Sequence, residues 1–175
     1  MNEFINTIIT RRSCKKYKSD SISSDIIEQI IEAGLFAASG LNKQSPIIIA
    51  VSDKNVRDKL SKLNSKYDPM KRDDPFYGAP VVLAILADKS VSTAVYDGSL
   101  VIGNMMLAAH SLGIGNCWIH RAKEVFEDKE GKKILKTLGI NGEYEGIGFC
   151  VIGYPAIEAS NIIPRKPNRV YRIHN

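Results

Sequence analysis

The chain has 175 residues, of which 44% are apolar and 25% charged, a composition typical of a globular protein with its own core. No segment reaches the roughly 18 uninterrupted apolar residues of a membrane span, and the polar start "MNEFINTIITRR" is unlike a secretory signal. We therefore expect a single domain, residues 1–175, that is cytoplasmic and has no membrane partner. The net charge of +5 suits an anionic ligand, and the cations concentrate in two clusters, residues 11–18 and 165–172.

Helical patterns and short apolar runs alternate along the first half of the chain. Residues 2–10 predict a short helix, and "SSDIIEQIIEAGLFAAS" predicts a second helix in which Asp25 and Glu28 have capping-box spacing. "PIIIAVSD", which begins at Pro46, predicts a buried strand, and "VRDKLSKLNSKY" predicts an amphipathic helix after it. The polar residues 66–77, with two prolines, predict a mobile surface loop.

The second half continues the alternation. Residues 79–88 predict another buried strand, and residues 93–112 are apolar on nearly every side, which indicates an interior or interfacial helix. A strand near residues 115–119, an exposed amphipathic helix in "KEVFEDKEGKKILKTL" and a buried strand in "GIGFCVIGY" follow. The last dozen residues lack periodicity and predict an arm that lies on another surface. Strands separated by helices indicate an α+β or α/β fold.

The usual catalytic motifs are absent from the sequence. The histidines lack metal-ligand spacing, the three cysteines have no CxxC spacing, and neither a GxxxxGKS/T loop nor a GxSxG elbow occurs. We therefore expect no metal and no disulfide framework. "GIGNCW" follows a helix and not a strand, which disfavours a Rossmann site. Ser39, Asn42 and Gln44 follow the second helix, where their side chains either read the edge of a planar heterocycle or simply end the helix.

Four segments together carry a family resemblance. "RRSCKKY", "AASGLNKQSP", "DGSLVIGNMMLAAHSLGIGNCWI" and "GFCVIGYP" followed by "PRK" resemble, in order and spacing, the nitroreductase family of FMN-dependent oxidoreductases, over essentially the whole chain. The resemblance implies an α+β fold with a mixed, mostly antiparallel sheet flanked by helices. It also implies an intertwined homodimer with two FMN sites at the interface and a C-terminal arm, about residues 160–175, exchanged with the partner.

The same resemblance assigns the apolar helix to the dimer core and provides a set of cofactor contacts. The implied dimer-core residues are Val101, Met105, Met106 and Ala109. The positions that match the family's FMN contacts are Arg11, Arg12, Ser13, Lys15, Ser39, Asn42, Gln44, Ile119, His120, Arg121, Arg165 and Lys166.

The implied roles follow the chemistry of FMN. Arg11, Ser13 and the backbone of Arg12 match the phosphate and ribityl contacts, and Arg165 and Lys166 complete the phosphate site, because guanidinium groups and hydroxyls suit a phosphate dianion.

The flavin ring has its own set of matching residues. Lys15 matches the cation at the N1/O2 edge of the flavin, where it stabilises the negative charge of the reduced ring. Residues 39–44 match a segment that reaches across the interface to the ribityl or pyrimidine edge. Residues 119–121 match a stretch whose backbone lies against N5 and O4, so the backbone amide of His120, and not its imidazole, is the expected contact. Where the family often has an aromatic residue near Pro46 this chain has none, which leaves the substrate side open.

The activity implied by the resemblance needs no side-chain acid or base. NAD(P)H is the expected co-substrate, and hydride passes through flavin N5 to a nitroaromatic, quinone or similar small-molecule acceptor by a ping-pong mechanism. Alternatives with the same cofactor are reductive dehalogenation, flavin destruction, and a flavin-binding sensor that does not turn over. A nucleic-acid partner is not expected, because the basic residues are not interleaved with a set of stacking aromatic residues.

Overall fold

The computed structural model describes residues 2–158 and 161–174. The helices are α1 (Glu3–Thr10), α2 (Ser24–Leu35), α3 (Lys54–Tyr67), α4 (Ala94–Ser111), α5 (Ala122–Glu127) and α6 (Lys129–Thr137), with a short 3-10 turn at Gly40–Asn42. The strands are β1 (Pro46–Val51), β2 (Val81–Asp88), β3 (Gly115–Ile119) and β4 (Tyr144–Gly153). Within the described ranges, none of the helices has the length and apolarity needed to cross a membrane.

The strands form one sheet in the order β1-β2-β4-β3, and every neighbouring pair is antiparallel. Beside the edge strand β3, Ser13 forms a parallel bridge with Asn116, so the chain after α1 extends the sheet. Strand β2 is central, and its residues 81–87 are all buried. The expectation of an α+β fold with a mixed, mostly antiparallel sheet is confirmed.

Each face of the sheet is covered by its own apolar core. On one face, α3 and α5 pack their apolar residues against the sheet, and the rings of Phe76 and Phe126 both lie against Phe149, with centroid distances of 5.1 and 6.1 Å. On the other face, α2 and α4 pack against the sheet through residues such as Ile30 and Ile102. This second layer places α4 directly beside β3 and β4, where the candidate site begins.

The expected dimer-core residues of α4 are not on its outer side. Val101, Met105 and Ala109 are buried within the chain's own core, and Met106 packs partly against the same core. Their shared side of the helix faces α2 and the sheet, so these residues are already removed from water in one chain. The prediction of a dimer core is therefore wrong for Val101, Met105 and Ala109, and it stays a prediction for Met106, which is only partly buried. The exposed apolar residues of α4 are Val95, Tyr96 and Leu100.

The amphipathic pattern of residues 123–138 is two helices and not one. Asp128 has extended backbone, which ends α5, and its side chain then accepts from Glu130 N at 2.9 Å to cap α6. Gly131 lies so close to α5 that a Cβ atom would be 1.9 Å from the carbonyl oxygen of Val125. The sharp turn therefore depends on a cap and on a glycine, neither of which changes the helical periodicity.

Two further local predictions need correction. Helix α2 begins after Ser23, which makes no side-chain capping bond, so the capping box predicted at Asp25 and Glu28 does not form. Residues 66–77 are not wholly a surface loop, because residues 66 and 67 belong to α3 and Phe76 is fully buried. Apolar packing therefore fixes the end of this loop.

Candidate functional site

The residues after α1 are held against the edge of the sheet by one buried asparagine. Asn116 is 1% exposed, and its carbonyl oxygen accepts from Cys14 N at 2.8 Å. The guanidinium of Arg11 donates to Asn116 Oδ1 at 3.4 Å, while Ser13 and Lys15 are exposed. An extended strand places successive side chains on opposite sides, so the odd-numbered residues 11, 13 and 15 share one side of this segment. The sheet edge thus presents two cations and a hydroxyl together.

The cations of this segment have no carboxylate partners in the part of the chain that the structure describes. None of the ion pairs there includes a residue from 11–18. Unpaired cations that are close together repel each other, and an anion that accepts from a guanidinium and a hydroxyl at once relieves that repulsion. The donor set fits a phosphate group.

The thiol of Cys117 lies near this segment. Burial raises the pKa of the thiol, while a hydrogen bond from Ser13 and the positive charges of Lys15 and Arg11 act in the opposite direction. Arg11, Ser13 and Lys15 therefore all lie close enough to Cys117 to act on it. The structure brings these three predicted contacts together.

Arg12 has a different orientation from its neighbours. Its Nη1 donates to the carbonyl oxygens of Ile9 and Arg11, at 2.8 and 2.6 Å, and so satisfies the end of α1. Its Nε and Nη2 atoms are buried and have no hydrogen-bond partner among the described residues. Because this side chain lies under the helix end, the backbone of Arg12 is the part that remains for a ligand.

A histidine from α4 supports the same helix end. Thr10 Oγ1 donates to Asn6 O at 2.7 Å and lies 3.0 Å from His110 Nε2, so the ring nitrogen is the donor in the second contact. Burial lowers the pKa of His110, and the positive charges of Arg11 and Arg12 lower it further. His110 therefore tends to stay neutral beside this cationic segment.

Lys15 is next to an aromatic residue that the sequence did not single out. Its Nζ lies 5.7 Å from the ring centroid of Tyr77, and the guanidinium of Arg72 lies 5.8 Å from the same centroid. The backbone of Tyr77 has a φ of +56°, and the carboxylate of Asp74 holds this turn. Burial alone would raise the pKa of Asp74, but hydrogen bonds, the largest from Arg57, keep it below its usual range.

The segment 39–44 forms a closed loop attached to the start of α4. Gly40 N donates to the buried carboxylate of Asp97 at 3.0 Å. Within the loop, Gln44 Nε2 donates to Asn42 Oδ1 at 3.0 Å and Gln44 N donates to Ser39 Oγ at 3.1 Å. The side chains of Ser39, Asn42 and Gln44 are thus bonded to this loop, and no described hydrogen bond joins them to residues 11–15. Asn42 and Gln44 have positive φ values of 53° and 48°, which a non-glycine residue adopts only where its surroundings compensate.

Residues 119–121 form the turn between β3 and α5. Ile119 is buried and His120 exposed, and Arg121 has a left-handed backbone with φ 76°. The carbonyl oxygen of His120 accepts from Asn64 Nδ2 of α3 at 2.7 Å. The guanidinium of Arg121 pairs with Glu124 Oε1 at 3.0 Å. This turn and the segment 11–15 lie at opposite ends of β3, one by Ile119 and the other by Asn116.

The C-terminal cations lie outside this arrangement. Arg165 donates to the carbonyl oxygen of Ile163, and a concavity of about 560 Å³ around Arg165 and Lys166 is lined by residues of 165–172 alone. The described residues 161–174 are all exposed. No described hydrogen bond or ion pair joins Arg165 or Lys166 to residues 11–15, and no residue of 11–18 lines that concavity.

Comparison with known proteins decides the family. The model of the Nitroreductase family matches residues 8–66 and 63–154. The chain belongs to the nitroreductase family. An NADPH-flavin oxidoreductase of Vibrio harveyi is 30% identical in an alignment of 180 positions, gaps included, that spans 97% of this chain and 72% of the relative. An FMN reductase (NAD(P)H) of Bacillus subtilis strain 168 is 28% identical in an alignment of 184 positions, gaps included, that spans 95% of this chain and 71% of the relative.

The fold of this nitroreductase-family chain also matches a solved family member. A crystal structure of a nitroreductase with bound FMN from Bacteroides fragilis NCTC 9343 gives a TM-score of 0.88 at 27% identity. The similarity covers 99% of this chain and 100% of that one. The two chains therefore share the fold over nearly their full length.

Three polar or aromatic residues of this nitroreductase-family site were not predicted. Asn116 and Asn64 are both 1% exposed. Asn116 alternates with Ile114 and Trp118 along its strand, and Asn64 lies one helical turn after Leu60. A buried amide needs a partner, so that pattern was a usable signal. Tyr77 had no such signal, because only the turn at Asp74 brings its ring to Lys15.

Proposed function

We propose that this nitroreductase-family protein is an FMN-dependent oxidoreductase that takes hydride from NAD(P)H and delivers it to nitroaromatic, quinone or flavin acceptors in a ping-pong mechanism. The observation that supports this proposal most directly is that Arg11, Ser13 and Lys15 make no described ion pair and that Asn116 holds their segment on the edge of the sheet. The FMN bound to the structural relative from Bacteroides fragilis, and the names of the two flavin-reducing relatives, support the assignment.

The chain's residues would bind FMN mainly through its charge. Arg11 and Ser13 hold the phosphate, where a guanidinium fork and a hydroxyl both donate to its oxygens. On binding, the cations lose only side-chain entropy, because the sheet fixes their backbone before the ligand arrives. FMN supplies the hydride-accepting and hydride-donating chemistry when it is bound.

Lys15 is positioned to tune that chemistry. It makes no described ion pair and is held near the ring of Tyr77, so its charge is free to act on an electron-rich ligand edge. A fixed cation favours the state with more negative charge, and its effect is larger where water is excluded. Lys15 therefore makes the bound flavin easier to reduce.

A homodimer with exchanged arms would complete the site. One chain alone leaves large apolar side chains exposed on α1, on α4 and in the arm, and these include Phe4, Tyr96 and Ile173. Exposed apolar residues gathered in this way mark an interaction surface. In the dimer, the arm would carry Arg165 and Lys166 to the partner's residues 11–15, and the loop 39–44 would reach the partner's flavin. Part of the arm predicted at residues 160–175, namely residues 160 and 175, lies outside the described residues.

Anaerobic stopped-flow spectroscopy tests the proposed function. The FMN-reconstituted protein should be yellow, bleach on mixing with NADH or NADPH, and recover its colour when a nitroaromatic, a quinone or free FMN is added. Lys15→Ala should slow bleaching about tenfold, which corresponds to a loss of about 1.4 kcal/mol of transition-state stabilisation, whereas Lys16→Ala, an exposed neighbour in the same cluster, should not.

Two results would contradict the proposal. A protein that cannot be loaded with FMN would exclude a flavoenzyme. A yellow protein that neither nucleotide bleaches would be a flavin-binding protein without turnover.

A further inference from the structure

Asn64 is a buried polar side chain of α3, on a side of the helix that also buries Arg57, Leu60 and Ser61. It lies one helical turn after Leu60 on the side of α3 that faces the core, and it is 1% exposed. Burying an amide there is unfavourable unless it is hydrogen-bonded. Its described bond is the donation from Nδ2 to the carbonyl oxygen of His120, at 2.7 Å, so the residue serves the turn between β3 and α5.

That bond fixes the direction of one peptide plane. In a planar trans peptide the C=O and the N–H of the next residue point in opposite directions. Because the carbonyl of His120 points at α3, the N–H of Arg121 points away from α3. Among the described residues, that N–H donates to no backbone or side-chain acceptor. The turn therefore has a backbone donor, the N–H of Arg121, whose orientation is fixed by the bond from Asn64 to the preceding carbonyl group.

Further contacts hold the donor in place. Arg121 has φ 76°, a left-handed backbone that costs free energy in a non-glycine residue and persists only where other contacts enforce it. Its guanidinium is tied to Glu124 at 3.0 Å. The peptide is thus restrained from α3 and from α5 at once.

We propose that Asn64 is a positioning residue, which aims the Arg121 N–H, and not the His120 N–H expected from the family resemblance, at an acceptor atom of the bound flavin ring. This inference rests on the proposed function, since the flavin is the ligand that receives the donor. A donor that is fixed before the ligand binds needs no reorganisation when negative charge grows on the ring, and so it favours reduction. Asn64 touches neither cofactor nor substrate and acts through the peptide it holds.

A matched pair of variants tests the proposal. Asn64→Leu removes the bond to His120 at nearly constant side-chain size. Asn104→Leu is the control, because Asn104 Nδ2 donates to the carbonyl oxygen of Ala33 at 3.1 Å and lies between α4 and α2. Both variants lose one asparagine-to-backbone bond, so a general loss of stability would appear in both. Thermal unfolding of each apoprotein provides that baseline.

The specific readouts concern FMN and the Arg121 amide. Asn64→Leu should bind FMN about tenfold more weakly and be reduced about tenfold more slowly, the effect of about one hydrogen bond. In the wild type and in Asn104→Leu, FMN should shift the Arg121 amide proton resonance, whereas in Asn64→Leu that shift should be lost. Equal FMN affinity, reduction rate and amide shift in the two leucine variants would overturn the proposal.

Asn64→Asp adds a signature that a packing role would not produce. A protonated carboxyl can donate to the His120 carbonyl and a carboxylate cannot, and burial raises the pKa of such a carboxyl. FMN affinity of this variant should therefore recover toward that of the wild type as the pH falls from about 8 to about 5. The wild type, measured over the same range, corrects for the titration of other groups, and a variant that merely parallels it would contradict the proposal.

Failure of this inference can be told apart from failure of the proposed function. If the wild type is not loaded with FMN or is not reduced by NAD(P)H, the proposed function fails. If the wild type is reduced normally and Asn64→Leu behaves like Asn104→Leu, only the role of Asn64 fails.

Discussion

The two cationic clusters of this chain have similar composition, but they differ in how the rest of the chain holds them in place. Residues 11–18 lie against β3, where the backbone of Cys14 and the side chain of Arg11 both bond to Asn116. Residues 165–172 are exposed throughout, and the described hydrogen bonds of the Arg165 guanidinium go to Ile163, two residues before it. The first cluster therefore lies on a fixed backbone, and the second belongs to a segment whose described residues are all exposed.

The difference shows what makes a charge cluster a binding site. Charges on a mobile segment lose backbone and side-chain entropy when they bind and are screened by salt, whereas charges on a backbone that folding has already fixed lose only side-chain entropy. The first cluster should therefore bind phosphate by itself, and the second should contribute only when another subunit holds it.

Removing Arg11 should have the largest effect. Arg11→Ala removes a charge-assisted donor from the phosphate site, and we expect FMN affinity to fall about 100-fold, since such bonds contribute roughly 1.5–3 kcal/mol each. Fluorescence titration of the apoprotein with FMN measures it. Lys16→Ala removes one charge from the same cluster and should change the affinity less than about twofold. Equal losses in the two variants would mean that the cluster acts only through its total charge.

Arg165→Ala should weaken FMN binding about tenfold. The effect is smaller than that of Arg11→Ala because the segment that carries Arg165 is held in place only by a second subunit. Subunit mixing shows whether the clusters meet between chains. When Arg11→Ala and Arg165→Ala proteins are unfolded and refolded together, exchanged arms would place both substitutions in one site of each mixed dimer and leave the other site intact. About a quarter of all sites should then bind FMN with wild-type affinity, from statistical pairing of subunits. No recovery on mixing would show that each arm folds onto its own chain.

The smallest effect concerns the histidine behind the first cluster. Because the folded chain depresses the pKa of His110, the unfolded chain binds a proton there more readily below the ordinary value of 6.5, and stability should fall as the pH drops through that value. His110→Gln should reduce this loss by a few degrees in Tm between about pH 7 and 5. His174→Gln, in the exposed arm, should leave the pH dependence unchanged. Identical pH profiles for all three proteins would show that His110 does not contribute to the loss of stability at low pH.

Much of the fold could be predicted from local pattern. The apolar runs at β1, β2 and β4 and the helical periodicities of α1 to α4 depend on near neighbours in sequence, and each was found within a few residues of its observed bounds. The break between α5 and α6 could not be predicted, because Asp128 caps a helix that would otherwise have continued. Its carboxylate also accepts from Lys66 and Tyr67 of α3, at 2.7 Å each, contacts that no local pattern reports.

The candidate site divides in the same way. Cations and hydroxyls at Arg11, Ser13 and Lys15 could be identified because phosphate chemistry demands those groups and the family motif places them. The outer side of α4 could not, because a helix that is apolar all round has no periodicity to tell which side faces its own chain. Val101 and Met105 were assigned to a partner by the family resemblance, although they pack against α2 of their own chain.

The sequence by itself determined the order of the helices and strands, the family, and the residue types that could hold a phosphorylated cofactor. Each of these depends on the residues within a short segment of the chain. Only the tertiary structure decided that Asn116 holds the first cluster on the sheet, that Tyr77 lies beside Lys15, and that Asn64 turns the peptide of His120. Those contacts join residues that are far apart in the chain, and their geometry exists only after the sheet and its two helical layers have packed.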